Sequence, residues 1–264
     1  MTYKCLLYAM QDGIATLTLN RPERLNALGD TLREDLYDAV TKSAADPDVR
    51  VLVITGAGRG FCSGGDVKSM SERERGAAAS PISDKLAPVR DRVVLAMRDC
   101  PKPIIAAING AAAGAGMNLA LACDMRIASI TAKFSQAFVK RGIAPDWGGS
   151  WLLPRIVGTA KACELIFTGE TIDATEALRL GIVNAVTAPE ELMTETYKLA
   201  GKIAAGPPVA IALSKRAIYH NQDVDLRSGL EFETFAQGVC RETEDSKEGV
   251  RAFMEKRAPV FRGS

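Results

Sequence analysis

The stretch KPIIAAINGAAAGAGMNLALACDMRIAS, residues 102–129, decides the fold because its pattern predicts strand, turn, helix and strand in succession. Pro103–Ile108 is a short apolar run that ends at Asn109-Gly110, a strong turn signal. The small residues that follow predict a helix over about Gly114–Cys123, and Met125–Ala128 predicts another core strand. Strands that alternate with helices in this way predict an α/β core with parallel strand pairing.

The stretch VLVITGAGRGFCSGGD, residues 51–66, has the same pattern of a short apolar strand followed by a turn rich in small residues. Five glycines follow the strand within this stretch. Upstream of it, Ile14–Leu19 predicts a strand, and Thr31–Ala44 carries apolar residues at helical spacing. Downstream, a helix is predicted over Ile82–Arg98.

The small side chains in both turns let a ligand approach backbone N–H groups closely. In the second turn these groups stand at a helix start, where N–H groups are free and the helix dipole favours negative charge. Two such donors that converge on one point would form an oxyanion hole, in which one donor is worth roughly 3–4 kcal/mol. Tight strand–helix packing explains the same small residues, and the residues alone leave both interpretations open.

Composition excludes several classes of protein. The chain has 264 residues, a net charge of +1 and 47% apolar residues, which is typical of a globular protein with a sizeable core. These values exclude a disordered chain, and the absence of a basic stripe with interleaved aromatic residues argues against a nucleic-acid partner. Segment 103–123 has no charged residue, but its Ala/Gly content and central turn favour a buried strand and helix over a membrane span.

Six cysteines are scattered without a CxxC pair, and the single histidine is His220. This composition predicts no zinc or iron–sulfur site and argues against a Ser–His mechanism. The first residues lack the long apolar stretch of a secretory signal, so we expect free, mostly buried thiols in a reducing cytoplasm. The chain has no glycine motif of the kind that cradles nucleotide phosphates.

From Pro207 the pattern is purely helical, which predicts a core over residues 1–204 and a helical region over residues 205–264. Its apolar residues form three stripes at helical spacing: Val209, Leu213, Ala217 and Ile218; Leu226, Leu230, Phe235 and Val239; and Val250, Phe253 and Met254. Apolar stripes need a cover. We expect an oligomer, although packing on the chain's own body would cover the stripes equally well.

Six segments in order along the whole chain resemble the crotonase, or enoyl-CoA hydratase/isomerase, superfamily: LNRPERLNAL (19–28), VLVITGAGRGFCSGGDVK (51–68), KPIIAAINGAAAGAGMNLALACDMRIAS (102–129), PDWGGSWLLPRIVG (145–158), TGETIDATEALRLGIVNAV (168–186) and GVRAFMEKRAPVF (249–261). The resemblance implies the crotonase (ClpP-like) spiral of ββα units with a C-terminal helical trimerisation region. It also implies chemistry on acyl-CoA thioesters, with CoA entering as part of the substrate and no separate cofactor. Homotrimers that pair into hexamers are implied too.

The resemblance assigns the two oxyanion-hole N–H groups to Gly65 and Ala115, which would hold the thioester carbonyl and stabilise its enolate. The resemblance also places seven residues at CoA: Arg24, Cys62, Gly65, Asp66, Lys68, Phe253 and Lys256. Of these, Phe253 and Lys256 lie near the C-terminus and would reach the substrate of a neighbouring subunit. Without the resemblance, Arg24, Lys68 and Lys256 would be taken as solvated surface charges and Phe253 as a core contact.

Two positions depart from the pattern of the family's hydratases, which use two glutamates as acid and base on water. Asn118 and Phe138 stand at the two places. An amide has no useful proton to exchange and a phenyl ring has none, so ordinary hydration lacks its acid and its base. Both residues are predicted to line the acyl pocket, together with Trp147.

Asp146, in IAPDWGGS (143–150), is the carboxylate that remains near the predicted reacting end. Its apolar and aromatic neighbours in sequence would desolvate it and raise its pKa towards useful basicity. An aspartate before Trp-Gly-Gly-Ser also suits a helix cap, and the residues alone leave both roles open. The resemblance favours catalysis, since isomerases and chlorobenzoyl-CoA dehalogenases of the superfamily carry Asp at this place.

These residues predict an enoyl-CoA isomerase in which Asp146 moves a proton between two carbons of the enolate. The chain most resembles the epoxyphenylacetyl-CoA isomerase branch of the superfamily. A dehalogenase is disfavoured because hydrolysis of its ester intermediate needs a general base, and His220 lies in the helical tail. The alternatives are a divergent hydratase that uses Asp146 with an ordered water, and a non-catalytic acyl-CoA-binding homologue.

Overall fold

The computed structural model describes residues 1–66 and 89–264, and its strands form two sheets. In chain order the strands are β1 (Leu6–Gln11), β2 (Ile14–Leu19), β3 (Val51–Gly56), β4 (Gly60–Cys62), β5 (Ile104–Ile108), β6 (Ala111–Ala113), β7 (Met125–Ser129), β8 (Lys133–Ser135), β9 (Thr171–Asp173) and β10 (Ala185–Thr187). The larger sheet has the order β1-β2-β3-β5-β7-β10, and the smaller has the order β4-β6-β8-β9. Apart from the pairs β1–β2 and β8–β9, neighbouring strands are parallel.

The helices of the described residues cover the sheets and form the C-terminus. They are α1 (Leu32–Ala45), α2 (Val89–Asp99), α3 (Ala115–Ala122), α4 (Gly149–Val157), α5 (Thr159–Thr168), α6 (Ala174–Arg179), α7 (Leu192–Ala204), α8 (Pro208–His220), α9 (Leu226–Glu242) and α10 (Glu244–Glu255). Short 3₁₀ turns lie at Pro22–Arg24, Val139–Arg141 and Pro189–Glu191. Of the helix predicted over Ile82–Arg98, residues 82–88 lie outside the described residues.

The core repeats one unit in which a strand of the larger sheet is followed by a strand of the smaller sheet and then by a helix. The unit β5–β6–α3 shows this order most compactly, and β7–β8–α4 repeats it. Strands β3 and β5 are almost completely buried, because a parallel sheet covered on both faces needs apolar residues throughout. The predicted α/β fold of ββα units is therefore confirmed.

Helix α8 is tied to the core by a buried ion pair. Lys215 Nζ lies 2.8 Å from Asp124 Oδ2, and it also donates to the carbonyl oxygens of Met97 and Lys102, each at 3.1 Å. The Tyr219 hydroxyl donates to the other oxygen of Asp124 at 2.5 Å. Burial and the neighbouring Asp124 carboxylate raise the pKa of Tyr219, so its hydroxyl remains a donor. The first C-terminal helix thus packs on the chain's own body.

Replacing Lys215 by methionine is expected to destabilise the fold by about 3–5 kcal/mol, because the Asp124 carboxylate would be left buried without its counter-charge. Thermal melting at a fixed protein concentration would measure the loss. The control is Lys247→Met, which removes an exposed pair with Glu244 and should leave the melting temperature nearly unchanged. Equal melting temperatures for the two variants would contradict the anchoring role.

Helices α9 and α10 keep large apolar side chains on the surface. Phe253 is 82% exposed and Leu226 is 78% exposed, and Phe235, Val250 and Met254 are exposed too. The second and third predicted stripes therefore stay largely uncovered within one chain, and Ile218 of the first stripe on α8 is 62% exposed as well. A neighbouring subunit remains the predicted cover for them. The division of the chain into two regions between residues 204 and 205 also stays a prediction.

Candidate active site

The two turns that the sequence predicts to converge lie against each other. Strand β4 pairs with β6, which places Cys62 opposite Ala112 at the start of both turns. A Cβ atom on Gly116 would lie only 2.0 Å from the Cys62 carbonyl oxygen, and one on Gly64 would lie 3.3 Å from the Ala115 nitrogen. Only glycine permits such close backbone contact at these positions. The close approach of two Gly/Ala turns, expected from the sequence, is therefore present.

A glycine with left-handed backbone precedes each predicted oxyanion-hole residue. Gly64 has φ +90° and Gly114 has φ +52°. Ala115 is the first residue of α3, where the N–H group has no acceptor within its own helix. In the described part of the chain, neither the Gly65 N–H nor the Ala115 N–H donates to a protein acceptor. The two amides thus lack a protein acceptor among the described residues, and they stand on turns that lie against each other.

Loop 24–28 holds the first turn in place. Leu28 N donates to Gly64 O at 2.7 Å, and Ser63 N donates to Leu25 O at 2.9 Å. The Ser63 hydroxyl also donates to the carbonyl oxygen of Arg24 at 3.2 Å. The structure thereby places the exposed side chain of Arg24 on a loop bonded to the turn that carries Gly65.

The side chains of two residues predicted at CoA make their contacts inside the protein. The Asp66 carboxylate is nearly buried and lies 3.0 Å from Arg21 Nη2, a pair that fixes the loop around Ala27 through a further Arg21 bond. Cys62 is fully buried, and burial raises the pKa of its thiol to about 12. The Cys62 side chain therefore belongs to the core, and contact of its main chain with CoA stays a prediction. Asp66 stabilises the loop through its carboxylate.

The other predicted CoA contacts are dispersed. Lys68 lies outside the described residues. Phe253 lies on α10 and Lys256 directly follows that helix, and both are exposed. Contact of these residues with a neighbouring subunit's substrate stays a prediction.

Asn118, which is predicted to line the acyl pocket, is fully buried. Its Nδ2 donates to the main-chain oxygen of Asp146 at 2.7 Å, and its Oδ1 accepts a bond of 2.7 Å from Gln136 Nε2. Sequence reasoning did not identify Gln136, because only the folded chain shows that its amide reaches Asn118. The amide of Asn118 thus connects the second turn to the segment that carries Asp146.

Phe138 and Trp147 are both buried at this end of the site. The ring of Phe138 covers Gly114, where an added Cβ would lie 3.6–3.8 Å from three ring atoms. Trp147 is only 2% exposed although its backbone is left-handed, with φ +52°. Phe138 thus packs against the turn that leads into α3, and Trp147 is buried in the same core cluster; their lining of an acyl pocket stays a prediction.

Asp146 is half-buried and lies three positions before the first residue of helix α4. The N-cap of that helix is Gly148, and no side chain caps it. The alternative that Asp146 serves as a helix cap is therefore wrong. Its main-chain oxygen accepts from Asn118 and from Gly149 N, which holds the turn while the carboxylate takes no part in the cap.

Residues 1–66 and 89–264 contain neither a metal-binding cluster nor a membrane-spanning helix. No group of three or more His, Cys, Asp or Glu side chains in these ranges is arranged to hold a metal ion. Within the same ranges, no helix combines the length and the apolar character that crossing a membrane requires.

Relatives of known sequence and structure match nearly the whole chain. The family model described as enoyl-CoA hydratase/isomerase matches residues 9–264. A crotonyl-CoA hydratase of Syntrophomonas wolfei is 41% identical, with 99% of each chain covered, and a 1,2-epoxyphenylacetyl-CoA isomerase of Escherichia coli is 38% identical, with 98% of each covered. The crystal structure of an enoyl-CoA hydratase from Bacillus anthracis superposes with a TM-score of 0.92 at 35% identity, covering 99% of this chain and 100% of that one. The chain belongs to the enoyl-CoA hydratase/isomerase family of the crotonase superfamily.

Proposed function

We propose that this protein is an enoyl-CoA isomerase in which Asp146 takes a proton from one carbon of the substrate and returns it to another. The amides of Gly65 and Ala115 hold the thioester oxygen while negative charge develops on it. The substrate's CoA lies along the loop that carries Arg24. No cofactor is needed beyond the CoA that belongs to the substrate.

One observation carries this proposal. Asn118, which stands at a glutamate position of the family's hydratases, has its amide committed to the Asp146 main chain and to Gln136. Phe138, at the other glutamate position, is an aromatic residue packed on Gly114. Neither residue can activate a water molecule. Among the described residues of the predicted pocket, Asp146 supplies the carboxylate.

The reaction balances with a single acid–base group. The Asp146 carboxylate removes a proton from C2 of a 3-enoyl-CoA, and the electron pair moves onto the thioester oxygen to form a dienolate. The protonated Asp146 then delivers the same proton to C4, while the electrons return to form the C2–C3 double bond. Asp146 ends as it began, and the product has the mass of the substrate. The two amide donors stabilise the charge that exists only between these steps.

Hydration is the second candidate, since several relatives are named as hydratases, and the crotonyl-CoA hydratase is more similar in identity than the isomerase. In that case Asp146 would act on an ordered water molecule. The choice between the two reactions depends on the site residues, and the replacement of both family glutamates favours isomerisation.

A panel of acyl-CoA esters tests the proposal, with each reaction followed by thioester absorbance and by product mass. Isomerisation of a 3-enoyl-CoA is expected to raise the absorbance of the conjugated thioester without changing the mass. A product heavier by one water molecule from a 2-enoyl-CoA would establish the hydratase instead. Tight binding across the panel without turnover would identify a non-catalytic acyl-CoA-binding protein.

We also propose that the functional form is a homotrimer or a hexamer of two trimers. The exposed apolar residues of α9 and α10, among them Leu226 and Phe253, support this proposal because isolated chains would leave them in water. Light scattering at micromolar concentration distinguishes these assemblies from one another. A clean monomer would contradict the proposal.

A further inference from the structure

We propose that Asn118 is a positioning residue that fixes the turn carrying Asp146, so that the carboxylate faces the substrate carbons. This inference rests on the proposed function, in which Asp146 moves the proton. It assigns a task to the amide that replaces a hydratase glutamate. Asn118 acts through Asp146 and does not itself exchange protons with the substrate.

Two hydrogen bonds fix the orientation of the Asn118 amide. Gln136 Nε2 donates to its oxygen at 2.7 Å, which turns the amide NH₂ group towards the Asp146 main-chain oxygen, also at 2.7 Å. Asn118 is fully buried on α3, and its own backbone N–H bonds to Gly114 O at 3.0 Å. A buried side chain whose two ends are both bonded has one available orientation. The donor that holds Asp146 is therefore built on a rigid helix.

The backbone directly after Asp146 is strained. Trp147 and Gly148 have φ +52° and φ +75°, so two consecutive residues are left-handed. Such a conformation is unfavourable for a bulky residue such as tryptophan, and it persists only where the surroundings impose it. The bond from Asn118 and the burial of the Trp147 ring are the contacts that impose it here.

The turn that follows Asp146 passes close to the Asn118 side chain at Gly149. A Cβ atom added to Gly149 would lie 2.3 Å from Asn118 Nδ2 and 2.6 Å from its Cγ and Oδ1. Gly149 N also donates to the Asp146 oxygen that Asn118 binds. The absence of a side chain at position 149 lets the turn lie directly on the amide, so the two are fitted to each other.

The test compares Asn118→Ala and Asn118→Leu with Thr196→Val. Leucine has nearly the shape of asparagine, but its side chain neither donates nor accepts hydrogen bonds, so the bond to the Asp146 carbonyl is lost without a large cavity. Thr196 is equally buried, and its hydroxyl bonds to Leu192 O within α7, so its replacement controls for the loss of a buried hydrogen bond. Each variant would be assayed for kcat, KM and melting temperature.

Both Asn118 variants are expected to lower kcat by about 10- to 100-fold with KM nearly unchanged, because a misplaced catalytic group slows the chemical step. Thr196→Val should keep kcat even if its melting temperature falls as far. Amide hydrogen exchange should be faster at Gly149 and Trp151 in Asn118→Ala than in Thr196→Val. Unchanged kcat in the Asn118 variants, or exchange equal to that of the control, would overturn the proposal.

An Asp146→Asn variant, assayed in parallel, separates this inference from the proposed function. If Asp146→Asn abolishes turnover while Asn118→Ala retains it, the positioning role alone is wrong. If Asp146→Asn retains the full rate, the proposed function is wrong, and a positioning role towards catalysis fails with it. Loss of turnover in Asp146→Asn and a kcat effect in both Asn118 variants would support the two together.

Discussion

Asp146→Asn is expected to lower kcat for a 3-enoyl-CoA by about 10²- to 10⁴-fold, the range that one positioned acid–base group contributes. Asparagine has nearly the shape of aspartate but cannot accept and return the proton. The main-chain oxygen of residue 146 would still accept from Asn118 and Gly149, so the turn should keep its conformation. Steady-state kinetics and calorimetric binding of a CoA ester would measure both effects.

The control for this variant is Asp173→Asn. Asp173 caps α6 with its side chain, a role that asparagine also fills, and it lies on the far strand of the smaller sheet. It should leave kcat unchanged. Binding of the CoA ester should be nearly the same in all three proteins. A full rate in Asp146→Asn would show that another group moves the proton.

Ala115→Pro is expected to lower kcat by about 10²- to 10³-fold, because it removes one donor of the proposed oxyanion hole. Ala115 is the first residue of α3, a position where proline suits the helix and the missing N–H costs no helical bond. The proline ring would also occupy the space in front of the lost N–H. The variant therefore removes the donor and blocks its position, with little disturbance of the helix behind it.

Ala115→Gly provides the matched control, since it alters the side chain and keeps the N–H group. It should retain most of the activity. Circular dichroism and melting temperature would establish that the proline variant is folded. If Ala115→Pro is folded and as active as Ala115→Gly, then the amide of residue 115 does not stabilise the enolate.

The parts of the fold that the sequence predicts are those with strong local signals. Strand Ile14–Leu19 has the predicted bounds, and β5 begins one residue after the start of the predicted strand Pro103–Ile108. Strands β3 and β5 are apolar on both faces and end at glycine or at Asn-Gly, so composition alone marks them. Strand β1 was not predicted, because it is an edge strand with exposed Leu7 and Met10 and lacks regular alternation.

The features of the candidate site also divide into those with a local sequence signal and those without one. Small residues in two matching turns predict that the turns converge, and the resemblance to the superfamily assigns the two amides to Gly65 and Ala115. The bond between Asn118 and the Asp146 carbonyl joins residues 28 positions apart, and no local pattern encodes it. The left-handed conformation of Trp147 is equally hidden, because tryptophan is not a residue that signals such a turn. Tertiary contacts decide these features, and only the folded chain shows that the N-cap of α4 is Gly148 and that no side chain caps this helix.

The most direct measurement follows a deuterium atom placed on C2 of a 3-enoyl-CoA. In a single turnover by the wild-type enzyme, the product is expected to gain no water and to carry part of the deuterium on C4. The Asp146→Asn variant should transfer none. A product heavier by one water molecule, or label transfer of equal extent in Asp146→Asn, would contradict the assignment of Asp146 as the group that carries the proton from one carbon to the other.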